Sequence, residues 1–212
     1  LGLWLQREVA GRPLQAYLDA PWAARACERA AMALVKLHRA PACAAARGWT
    51  IADELAVLDE RLTHLADLRT DLRRDIAALR ARCHRAASRL PEAPSCGIHR
   101  DYYPEQLVVD GELTRLVDLD LYSLGDPALD AGNFIAHLLE AAIRGRGNAA
   151  AYAPLGAAFR DRVLAESPTA TPHSVVIYTL LSLTRLAEIS TRIAGRRQTT
   201  RAILEACAAL PD

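Results

Sequence analysis

The sequence predicts a mainly α-helical domain with one small β element, and three observations carry that expectation. Apolar residues recur at helical spacing through most of the chain. A single stretch, 106–118, changes to period two around Asp110-Gly111. Beside it, His99, Asp101, Asp118, Asp120, Asp126 and Asp130 crowd into residues 97–134.

The elements follow in order. An opening apolar strand is expected over 3–9, then a Gly-Arg-Pro turn and a short helix. Trp22, Ala26, Ala30, Ala33 and Leu37 give helical spacing over 22–39, which Pro41 ends. Leu55, Leu58, Leu62, Leu65, Leu72, Ile76 and Leu79 advance by threes and fours over 52–87, with Arg69 spoiling one heptad position. That repeat is too short and too interrupted for a free coiled coil. It predicts an amphipathic helix against the domain, with at most one break. In "QLVVDGELTRLVD", Asp110-Gly111 predicts a hairpin loop with Val109 opposite Glu112 and Tyr103 opposite Asp118. Such a register would bring Asp101, Gln106 and Asp118 to one end. Beyond Pro127, Gly, Pro and Ser punctuate four further helices: 130–145, 152–167, 173–195 and 199–210.

The bulk properties bound the function. A chain of 212 residues, 51% hydrophobic and 24% charged, suits one substantial globular domain. A formal net charge of +1 leaves no basic excess to neutralise phosphate backbones, so no nucleic-acid partner is expected. No apolar run is long enough to cross a membrane, and no basic-then-apolar leader opens the sequence. Cys27, Cys43, Cys83, Cys96 and Cys207 form no paired spacing, which predicts free thiols in a reducing cytoplasm. The sequence opens on Leu1 rather than Met, as a piece of something longer would, and its only lysine is Lys36.

Carboxylates repel, so the acid cluster needs a cation, a shared proton or open water. Asp101 follows His99 and Arg100 just before Pro104, where a carboxylate accepts a hydroxyl proton or orients a nucleophile. Gln106 adds an amide oxygen and Asp118 a second carboxylate. Few protein oxygens, completed by water and phosphates, suit Mg²⁺. A metal so held neutralises a transferring phosphoryl group while Asp101 positions the acceptor.

"HRDYYPEQ", "LVDLD" and "GDPALDAGNF", in that order, resemble the catalytic and metal loops of the aminoglycoside phosphotransferase and choline kinase family, relatives of protein kinases. The family pattern is H-x-D-x-x-x-x-N, a hairpin, I-D-F/L, then G-D-P-x-x-D. His99 and Asp101 match the first element, with Asp101 in the catalytic-base position. Asp118 matches the metal-binding acid, and Asp126 and Asp130 match the downstream structural acids. Gln106 stands where the family has asparagine and carries its amide oxygen one methylene further out. "LWLQREVAGRPLQAYLD" is similar to the hinge and first helix of the larger lobe, and "LVKLHRA" to its leucine-histidine helix.

The resemblance implies the C-terminal lobe of a kinase-like fold: hinge and first helix over 1–20, a helical subdomain over 21–96, catalytic loop, hairpin and metal loop over 97–130, and C-terminal helices over 131–212. It also implies ATP, Mg²⁺ and a small hydroxyl acceptor such as an aminoglycoside, an amino alcohol or a sugar. No glycine-rich loop with a strand lysine occurs. "RGRGN" at 144–148 lies between helices, and Lys36 is on one. The smaller nucleotide-binding lobe is therefore expected outside this chain, in the intact protein, and this piece is expected to be inactive alone.

Plainer roles stand beside these. His99 reads as a structural holder of its loop, and Asp126 as a turn acid. Asp130 either caps a helix near Ala131 or braces the catalytic loop. Asp120, two residues past Asp118, shares its side of an extended strand and reads equally as a second metal contact or a solvated acid. Tyr102 and Tyr103 either shape an acceptor pocket or pack. Glu140, Asp161, Glu166 and Glu188 are candidates to attract a cationic acceptor, though solvated helix faces explain them more cheaply. The rival function is a pseudokinase-like scaffold using 52–87 as a partner surface. A metal hydrolase is weaker, because no histidine pair has ligand spacing.

Overall fold

The computed structural model describes residues 8–43, 46–167 and 169–211. Residues 3–7 of the expected opening strand lie outside these, and Val9 is in no strand. The elements are β1 (Arg12–Pro13), α1 (Ala23–Arg39), α2 (Ile51–Leu68), α3 (Arg73–Ala87), β2 (Cys96–Ile98), β3 (Leu107–Asp110), β4 (Leu113–Leu116), β5 (Ser123–Gly125), α4 (Ala128–Arg146), α5 (Ala153–Glu166), α6 (Pro172–Arg192) and α7 (Thr200–Ala209). The chain is mainly helical, as its periodicity predicts.

Helix pairs build the core. Helix α4 lies along α6, and α1 along α5. Gly132 sets the first approach, since a side chain there would stand 2.5 Å from the Tyr178 backbone. The rings of Phe134 (α4) and Phe159 (α5) stack at 3.9 Å, both fully buried. Each contributes about 1.5–3 kcal/mol of apolar burial. All five cysteines are free, and Cys27, Cys83 and Cys207 lie in this core.

The long periodic segment does break once. Thr50 and Asp53 form a reciprocal capping box that starts α2. The helix stops at Arg69, which leaves helical geometry (φ −131°, ψ 68°) and forks onto Asp71 at 2.9 and 2.8 Å. Leu58, Leu62 and Leu65 on α2 and Ile76, Leu79 and Cys83 on α3 are buried. Helix α6 covers both helices, and α7 also packs on α3. The stripe a scaffold would offer to a partner is thus already used inside the chain.

The β structure is richer than one hairpin. A three-stranded sheet has the order β1-β3-β4, and β2 pairs antiparallel with β5. In the Gly-Arg-Pro segment expected as a turn, Arg12 and Pro13 form β1, opposite Val109 and Val108. Gly11 permits this contact, because at φ +118° a side chain would run into the Val109 carbonyl. The hairpin forms, but Asp110 faces Leu113 and Leu107 faces Leu116. Its loop is therefore Gly111-Glu112, not Asp110-Gly111. Glycine takes the first loop position at φ +58°, a conformation this residue alone adopts freely. The shift is by two residues, so each side chain keeps its face.

Candidate active site

Strand β2 ends at Ile98, and the chain turns at once into the segment carrying Asp101. What holds that turn is Asp130, fully buried in the first turn of α4. One of its oxygens accepts the His99 backbone N–H at 2.8 Å and His38 Nε2–H at 3.1 Å. The other accepts the Arg100 N–H at 2.7 Å. Arg100 sits at φ +69°, where a non-glycine residue needs outside support. Asp130 supplies it. It braces the loop and caps no helix, since α4 begins without a side-chain cap. Asp126 is the turn acid, accepting the Ala128 N–H at 2.8 Å. Burial holds its carboxyl above the usual carboxylate range, against that hydrogen bond and one from Tyr178.

His99 ties the two loops together. Its backbone is on Asp130, and its buried ring donates from Nε2 to the Val117 carbonyl at 2.9 Å, directly before Asp118. The Val117 N–H in turn donates to the Gln106 carbonyl at 3.0 Å. Gln106 and Asp118 therefore lie side by side, the Gln106 amide donating to Asp118 Oδ2 at 3.0 Å. The second oxygen of Asp118 and the Gln106 amide oxygen have no protein partner among the described residues. Asp101 is half-buried and likewise makes no hydrogen bond or ion pair among them.

Asp120 does not share this arrangement in the way a strand would dictate. Asp118 takes φ +62°, and the Tyr122 N–H donates to the Leu119 carbonyl at 3.0 Å. The segment is a turn, so strand alternation places nothing here. Asp120 is exposed. Among the described residues no three His, Cys, Asp or Glu side chains gather as a metal site. A cation here would rest on Asp118, Gln106 and its own phosphate ligands. That sparse, hard-oxygen set fits Mg²⁺.

Tyr102 packs: its buried hydroxyl donates to the Ala30 carbonyl at 2.6 Å. Tyr103 instead stacks on His137 at 4.3 Å. Burial, then the charges of Asp101, Glu105 and Asp118, push its phenol up to about 12. His137 is half-buried, and its imidazole is pushed down to about 3, by burial first and then by Arg185, Arg144 and Arg196. A depressed histidine stabilises the fold fully above its unfolded value near 6.5, and that contribution is lost as pH falls toward 3. Allowing for partial exposure, about 2 kcal/mol is expected to disappear over that window. His137→Asn should flatten this part of the melting temperature against pH profile; an unchanged slope would refute the assignment.

Several site neighbours carry no signal in their own sequence context. Asn133 donates to the Tyr102 carbonyl at 3.2 Å and accepts from Arg185 at 2.9 Å. Trp49 donates to Glu54 at 2.6 Å and lies under the Arg100 guanidinium, 3.2 Å from the ring centre. His38 and Asn133 sit in segments that resemble the family motifs, and Glu54 and Arg185 on helices that the periodicity predicts, whereas Trp49 lies in neither. The four acids considered for a cationic acceptor are engaged. Glu188 holds Arg61, His64 and Arg192, Glu140 holds Arg144 and Ser190, Glu166 holds Arg39 and Arg162, and Asp161 holds Arg160.

A mainly helical lobe whose two loops present a free aspartate beside an Asp–Gln pair is the larger lobe of a kinase-like fold. Residues 2–167 match the model of the phosphotransferase enzyme family, and the chain belongs to that family. Among solved structures it is similar to a choline/ethanolamine kinase family protein from Mesorhizobium loti (21% identity, TM-score 0.59), covering 96% of this chain and 67% of that one. It is also similar to an aminoglycoside-3'-phosphotransferase of type VIII (18%, TM-score 0.60), covering 82% and 65%. A glucosamine kinase matches at 13% identity and TM-score 0.61, covering 92% and 55%. The chain thus spans about two thirds or less of the length of these structures. No curated protein matches the sequence. Among the described residues no helix is long and apolar enough to cross a membrane.

Proposed function

We propose that this chain is the larger lobe of an ATP-dependent phosphotransferase that moves the γ-phosphate to a hydroxyl of a small molecule. The observation that carries this reading is the Asp101 carboxylate, unpartnered among the described residues. It stands on a loop clamped by Asp130 and tied through His99 to the segment that presents Asp118 and Gln106. Asp101 accepts a hydrogen bond from the acceptor hydroxyl, aims its oxygen, and takes its proton as the phosphoryl group arrives. Asp118 and Gln106 would hold Mg²⁺, which supplies charge neutralisation on the phosphates when bound. Tyr103, its phenol kept protonated, walls the site beside Asp101 without adding charge.

Support for ATP comes from a structural neighbour, a glucosamine kinase solved with glucosamine, ADP and inorganic phosphate. In this reading the intact enzyme carries the rest of its nucleotide cleft on a smaller lobe, works in the cytoplasm, and needs neither nucleic acid nor membrane. The test is ATP turnover by the intact protein across a panel of small alcohols, with and without Mg²⁺. Mg²⁺-dependent transfer to an acceptor, absent from this lobe alone, is the expected result. No transfer under any condition would sink the reading.

A further inference from the structure

We infer that the acceptor carries an anionic group, a carboxylate or a phosphate, held between Arg100 and Arg185 beside Trp49. The hydroxyl that Asp101 engages rests on the phosphotransferase reading; the anion contact does not.

The charge arrangement around Arg100, the residue before Asp101, points this way. Arg100 directly precedes Asp101, and its half-buried guanidinium has no hydrogen bond or ion pair among the described residues, only the Trp49 ring. Arg185 reaches the same place from α6. It bonds Asn133, whose amide holds the Tyr102 carbonyl one residue beyond Asp101. The two guanidiniums are close enough that Arg185 helps depress Arg100, second among charges to Glu54 and behind burial. Each has a buried Nε–H that meets no acceptor among the described residues. Buried donors without partners are uncommon, and on two like-charged neighbours they mark a place built for an anion.

The surrounding acids offset only part of this charge: one buried carboxylate faces two guanidiniums. Among the described residues Glu54 is the one carboxylate that acts on both, 3.9 Å from Arg185, and it also accepts the Trp49 N–H at 2.6 Å. Asp53 belongs to the capping box and to Arg47, and Glu140 belongs to Arg144 and Ser190. Arg196, within electrostatic reach of His137, has no side-chain partner among the described residues. A polycation would enter a face whose acids are already engaged, against the remaining positive charge. A hydroxy acid or a sugar phosphate would complete the site.

The experiment uses this chain and four probes that share the hydroxyls at C1, C3 and C4: D-glucuronate, D-glucose 6-phosphate, D-glucose and D-glucosamine. Binding is followed by calorimetry at low salt and by the Trp49 indole N–H resonance. The expected result is saturable binding of at least one anionic probe, about tenfold or more tighter than D-glucosamine, with the Trp49 signal shifting. Whichever anion binds better tells carboxylate from phosphate. Arg185→Gln should remove the tenfold preference and Arg185→Lys should keep part of it. Arg100→Gln serves where Arg185→Gln does not fold. Equal or tighter D-glucosamine binding, no binding by either anion, or a preference untouched by the folded Gln variant would overturn the inference. If the anion binds but the intact protein transfers no phosphate, the phosphotransferase reading falls and this site stands. If the intact protein phosphorylates D-glucosamine in preference, the reverse holds.

Discussion

Asp130→Ala is expected to destabilise the chain by about 3–5 kcal/mol, enough to lower its melting temperature by roughly 10 °C. Three donors, the His99 and Arg100 backbone N–H groups and His38 Nε2–H, converge on this carboxylate. Alanine leaves all three in a site where Asp130 itself is fully buried, so water cannot replace it without reorganisation. Arg100 would lose the contact that holds its positive φ, and the loop should relax. Asp130→Asn keeps one good acceptor and should fall between the two. Urea midpoints for the three proteins decide the matter. A loss under about 1 kcal/mol for Asp130→Ala would show that the loop holds itself.

The role of Asp130 illustrates what a sequence exposes. Its spacing from Asp126 and its place after G-D-P mark it as an acid with a purpose, yet helix cap and loop brace look alike on paper. The choice depends on where β2 and α4 meet. Strand β2 pairs with β5, and each has three residues and no alternation to read. Long helices announce themselves through period; three-residue strands are made by their partners. The same limit explains the hairpin. Asp110-Gly111 signals a turn correctly, but the loop shifts so that glycine takes the position needing positive φ.

Catalytic candidates were legible because they lie within one contiguous stretch. The walls of the site were not. Glu54 and Arg185 meet across 131 positions, and His38 meets Asp130 across 92. Each is an ordinary residue on an amphipathic helix until tertiary packing turns its face inward. Asn133 was the accessible exception, since it follows Asp130 by one helical turn on the same face of α4. Asp120 shows the opposite limit. Strand alternation would set it beside Asp118, but Asp118, in a left-handed conformation, makes the segment a turn. Asp120 is exposed, as a solvated acid is.

Asp101→Asn is expected to lower kcat of the intact phosphotransferase by about 10²–10⁴ while leaving Mg²⁺ binding in place. Asp118→Ala is expected to lose Mg²⁺ binding and turnover together. The contrast follows from the partners of the two acids. Asp118 stands against Gln106 in the pair that would hold the cation, whereas Asp101 touches neither among the described residues. Neither change should cost much stability: Asp101 has no protein partner there, and Asp118 has one exposed hydrogen bond. Melting temperatures within about 3 °C of the parent would separate a chemical defect from a folding one. Asparagine keeps the size and the accepting oxygen of Asp101 but cannot take a proton, so kcat rather than the KM for ATP should carry the loss. A kcat within tenfold of the parent would remove Asp101 from the chemistry. Loss of Mg²⁺ binding in Asp101→Asn would move it into the metal site.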